Sequence, residues 1–254
     1  MARPFNLRWL LPTICRQHII RWTNVWLLSW PVAAVGAVWW AHGMGAAWWP
    51  SVAAAALLLA LPGVLGPLVA RPVGVDLPAL ALSLVAAGAF ANGLPAVGIV
   101  VAVVAATVKE SAPIWIALWC WSPWPLVALL APAIAAVVRR SHLDEVTAHP
   151  NLRAVHDHPV RTAIEAHRHQ WRDGWVMVAP WGACLAGLIA PTPQVAATLA
   201  VAHAQLLVAT DTVRLVATAA GPVLALAAAQ VIPTPWLLLA AAIHVVWFRK
   251  PEFV

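Results

Sequence analysis

Two ionisable side chains stand side by side at Lys109 and Glu110, between the apolar stretches Leu94 to Val108 and Ile114 to Trp121. A charge embedded among such neighbours costs about a few kcal/mol unless it is paired. A cation in that setting can hold a phosphate, and a carboxylate nearby can position a hydroxyl or take its proton. Adjacent helical residues do not face each other, so the two are not a simple local ion pair. The plainer alternative is a turn at an interface with a snorkelling lysine.

Three other groups invite the same question. Asp211 and Arg214 are three residues apart, on one helix face, where they can pair with each other. Asp76, just before Pro78, taken alone reads as a cap or turn residue. The 139–173 stretch holds His142, His149, His156, His158, His167 and His169. Its two His-x-His pairs, with Asp157 and Glu165 among them, offer ligands for a divalent cation, although no HExxH spacing is present. The same imidazoles suit an interfacial helix. Pro159 starts one that carries Arg161, Glu165, Arg168 and Arg172 on its polar side, a pattern suited to anionic headgroups. No phosphate-binding GxxxxGK[ST], GxSxG elbow or CxxC occurs, which argues against soluble nucleotide chemistry, and no GxxxG stripe marks a dimer face.

The elements that must position these groups are set by composition. Of 254 residues, 63% are hydrophobic and only 9% charged, with mean hydropathy +0.83, so lipid is the expected solvent. The sequence predicts an all-α, polytopic transmembrane bundle of about 8–10 segments, several too short for roughly 30 Å of hydrocarbon and therefore tilted or re-entrant. A basic leader, 1–21, precedes an N-terminal membrane bundle, 22–138. The polar histidine-rich loop, 139–173, follows, then a C-terminal bundle, 174–254. Apolar runs include Trp22 to Ala41, Ser51 to Ala70, and Leu77 to Ala91 before a turn at Asn92-Gly93.

If each segment crosses, every formally charged connection falls on one side: the leader, 71–76, 109–110, 139–173, 211–214 and 249–250. The connections at 42–50, 92–95, 122–125, 191–194 and 231–235 carry none, and Trp48, Trp49, Trp121, Trp124 and Trp236 flank them. The positive-inside rule makes the charged side cytoplasmic, and the four leader arginines read as an anchor rather than a nucleic-acid surface. Abundant Ala, Val, Pro and Trp with no Tyr point to a GC-rich genome, actinobacterial or from a phage of such a host. The expected location is the bacterial inner membrane, or the host membrane for a phage protein. Cys15, Cys120 and Cys184 imply no disulfide framework.

Arg71-Pro-Val-Gly-Val-Asp76-Leu-Pro78, the short apolar pair broken at Asn92-Gly93, and Ala106-Thr-Val-Lys109-Glu-Ser-Ala-Pro113 together resemble the middle of C-superfamily membrane glycosyltransferases. Those enzymes transfer sugars from polyprenyl-phosphate donors. The resemblance covers mainly residues 71–138, and it implies a glycosyltransferase with Asp76 as an acidic site residue and Lys109 as a ligand of the lipid phosphate. Asp211 to Arg214 resembles a late acidic and basic turn of some members. On that reading Asp76 or Glu110 acts as general base, while Lys109 and Arg214, with Asp211 beside it, bind the phosphate-bearing substrate. The 42–50 connection lacks the acidic residue of the family's first extracytoplasmic loop, and charge bias puts Asp76 and Lys109 inside. The competing expectation is a non-catalytic polytopic protein, either a small transporter or a scaffold whose 139–173 loop binds a partner.

Overall fold

Proline, glycine and asparagine punctuate the apolar runs, and the chain answers with helices at nearly every run. The computed structural model describes residues 10–15, 18–70, 74–138, 158–172, 179–207 and 212–247. Among them all regular structure is helical and there is no strand. The helices are α1 Leu10–Cys15, α2 Ile19–Gly43, α3 Trp48–Leu59, α4 Pro62–Ala70, α5 Asp76–Ala91 and α6 Pro95–Val108. They continue as α7 Ala112–Cys120, α8 Leu130–Val138, α9 Pro159–Arg172, α10 Pro193–Ala204, α11 Thr212–Val231 and α12 Thr234–Trp247. Tighter 3-10 stretches cover Trp124–Leu129, Ala179–Ile189 and Gln205–Leu207. Only α2 is, by length and composition, long and apolar enough to cross a membrane alone among the described residues.

The run Ser51 to Ala70 is not one helix. It breaks at Ala60 and Leu61, because Pro62 has no N–H to continue the ladder and instead starts α4. Gly182, with φ 45° and ψ −127°, likewise interrupts Ala179–Ile189.

Helices α2 and α5 form the tightest pair, running parallel. Ser29, Ala33, Gly36, Ala37 and Ala41 present small residues to the core, and a Cβ on Gly36 would stand 2.9 Å from the backbone nitrogen of Val85. That close approach is how apolar helices gain dispersion energy from backbone contact. At the upper end of the pair Asn92 closes α5: its Nδ2 donates to the carbonyls of Gly88 at 2.8 Å and Trp39 at 3.0 Å. The turns at 44–47 and 92–94 therefore share one end of the molecule.

Helix α7 ends short of that end, and its last carbonyls are satisfied by side chains from elsewhere. Gln194 Nε2 donates to Leu118 O at 3.1 Å and Trp119 O at 2.6 Å, and Trp40 Nε1 also reaches Trp119 O. In α11, the indoles of Trp119 and Trp181 donate to the carbonyls of Ala219 and Val216 at 2.7 and 3.1 Å. These donors enter α11 just ahead of Pro222, where a proline weakens the helix's own ladder. Tryptophan thus binds broken helices to one another through its single donor.

Candidate functional site

Helices α5 and α6 form a hairpin around Asn92-Gly93. Asp76 precedes Asn92 by the same number of residues as Lys109 follows Gly93. Two arms of equal length bring them to one level at the end opposite the turn. There Lys109 Nζ donates to Asp76 Oδ1 at 2.8 Å, with each side chain only 10% exposed.

The backbone reinforces the pair. Asp76 occupies the first turn of α5, where the helix dipole favours an anion. Lys109 is the residue that closes α6, with extended backbone (φ −148°, ψ 115°), where the dipole favours a cation. Its N–H donates to Ala105 O at 2.8 Å, and its carbonyl accepts from Ala112 N at 3.0 Å, which starts the next helix. Lys109 is thus a joint between α6 and α7 as well as half of an ion pair. A small apolar cluster of Leu11, Ala79 and Val108, flanked by Trp22 and Val25, takes in the residue before Lys109 and the one three after Asp76.

Lys109 is therefore not an exposed snorkelling residue, and its partner is Asp76 rather than its neighbour. Glu110 is half-buried and engaged in an interaction of its own. Asp211 lies outside the described residues, and only the helical backbone of Arg214 is described, in α11. Their expected pairing with each other, and any approach to Asp76, falls outside what the structure describes. The same holds for His142, His149 and His156. Among the described residues no group of three or more His, Cys, Asp or Glu side chains is placed to hold a metal ion.

A second polar feature was hidden from the sequence. His244 of α12 accepts the Ala183 N–H at Nε2 over 3.1 Å and fills the space beside Gly182, where a Cβ would stand 2.4 Å from that nitrogen. Accepting at Nε2 fixes the neutral tautomer with its proton on Nδ1, which is buried without a partner. The histidine supports a strained backbone turn that glycine alone tolerates. Only the glycine within an otherwise apolar run signalled it.

The chain matches no protein family, no curated protein and no solved structure.

Proposed function

We infer that the chain is a polytopic integral membrane protein that works without catalysis, as a scaffold, and that Asp76 and Lys109 clamp its central hairpin. The observation that carries this reading is the closed pair itself. An ammonium at 2.8 Å from a carboxylate, beside an apolar cluster, already has the anion that a lipid phosphate would supply. The distribution of residue sizes supports the membrane part. Alanine dominates the interior, while Leu28, Val35, Val100, Ile134, Leu239 and Val246 face outward. In water such a surface would aggregate; against lipid tails it is at home. Exposed Trp48, Trp49, Trp121 and Trp124 gather toward the uncharged turns, as an interfacial belt requires. Helices of 14–16 residues, about 21–24 Å long, then sit as short or tilted spans.

One observation favours a second reading, a polyprenyl-phosphate-dependent glycosyltransferase. The two residues that the family resemblance singles out, 33 positions apart, do meet. In that case Lys109 exchanges Asp76 for the donor phosphate, and the released carboxylate serves as base.

Detergent-solubilised wild type, Lys109→Ala and the double variant Asp76→Leu/Lys109→Met separate the two. A scaffold gives a double variant that stays monodisperse and folded, a damaged single variant, and no sugar transfer from a polyprenyl-phosphate donor by the wild type. Transfer by the wild type that both variants lose would replace the scaffold reading with the enzyme.

A further inference from the structure

Helix α9 is unlike the rest of the molecule, because it is the one described helix with both an exposed charged stripe and an exposed apolar one. Val160 and Ile164, 47% and 42% exposed, lie one turn apart. Beside them run Arg161, Glu165 and Arg168, all exposed, with Arg161 Nε donating to Glu165 Oε1 at 2.9 Å. On the inward side Ala163 is buried, where α9 packs on Gln205–Leu207. Among its described side chains the small Ala163 is buried, while the larger apolar Val160 and Ile164 are left uncovered beside arginines.

The charge beside them says what would cover them. Helix α10 starts beside Trp119, bound there through Gln194, and runs about 18 Å to Gln205–Leu207. We propose that α9 is a headgroup-binding helix, lying in the cytoplasmic leaflet with Val160 and Ile164 among acyl chains and Arg161 and Arg168 on anionic lipid phosphates. This rests on the membrane-bundle reading. A guanidinium flanking an apolar stripe can extend to phosphate while its stem stays over hydrocarbon. The sequence of Pro159–Arg172 holds three arginines to one glutamate, so the complementary surface is anionic.

The test uses the full chain in lipid nanodiscs, with an environment-sensitive fluorophore on Ile164→Cys and, separately, on Val100→Cys of the outward face of α6, both in a background without native cysteines. Nanodiscs are neutral phosphatidylcholine or contain phosphatidylglycerol. The expected result is quenching by lipid-borne quenchers at Val100 in both, and at Ile164 strongly only with phosphatidylglycerol. Adding Arg168→Gln weakens the Ile164 signal about fivefold in the docking equilibrium, and 0.5 M salt, at which the screening length is only about 4–5 Å, does the same. Water-like emission at Ile164 in both lipids, with Val100 still quenched by lipid, overturns the inference and leaves the face to a protein partner. Loss of lipid quenching at both sites overturns the bundle reading beneath it.

Discussion

A buried charge pair is robust while both members are present and costly when one is removed. Truncation at Lys109 leaves the Asp76 carboxylate without the ammonium at 2.8 Å, 10% exposed and beside Leu11, Ala79 and Val108. Lys109→Ala is therefore expected to cost about 3–5 kcal/mol, read as a lowered midpoint of thermal unfolding in detergent. Replacing both residues, as Asp76→Leu/Lys109→Met, removes both buried charges together and is expected to return stability towards the wild-type level. With the single variants Asp76→Leu and Lys109→Met, the double-mutant cycle reads a strongly favourable coupling between the two positions. Additive losses in the two single variants would mean that the residues act separately, contrary to their geometry. The sequence exposed Lys109 as chemically conspicuous, whereas Asp76 taken alone reads as a cap or turn residue and is singled out only by the family resemblance. It did not say that they meet, yet their equal distances from Asn92-Gly93 contain that information once two straight, equal arms are assumed.

Among elements, the joints rather than the spans decide the packing. A side chain at Gly36 would push into the backbone of α5, so Gly36→Leu is expected to destabilise by about 1–3 kcal/mol, measurable as a loss of monodisperse protein after extraction. Trp119→Phe keeps most of the ring but removes the donor to Ala219 O, a lost hydrogen bond expected to cost about 0.5–1.5 kcal/mol in thermal unfolding. Gly182→Ala meets both a positive φ and the His244 ring, and is expected to loosen α12 from Ala179–Ile189, seen as faster proteolysis. Apolar runs and turn residues made the helices themselves legible: the runs at 77–91 and 94–108 match α5 and α6 within a residue or so. The break at Ala60 and Leu61 was also written in Pro62, though the surrounding hydrophobicity concealed it. What hydropathy could not carry is the set of long-range side-chain donors. Trp40, Trp119, Trp181 and Gln194 look like ordinary apolar or turn residues until the carbonyls they serve are in place.

At the scale of the whole molecule, one end gathers the uncharged turns 44–47 and 92–94, and the ion pair Asp76–Lys109 lies at the opposite end of the α5–α6 hairpin. On the proposed membrane-bundle reading, the two ends lie on opposite sides of a membrane. Helices α6, α7 and α8 lie between the exposed Leu94 at one end and the exposed Arg161 beyond α8. Three crossings would put those two positions on opposite faces, whereas a chain that crossed only through α2 would keep them on the same face. Single cysteines at Leu94 and Arg161, introduced after the three native cysteines are replaced by alanine, report this with a membrane-impermeant maleimide. The polytopic bundle predicts that intact cells label Leu94→Cys and that Arg161→Cys is labelled only after the membrane is opened; labelling of both from the same side would contradict it.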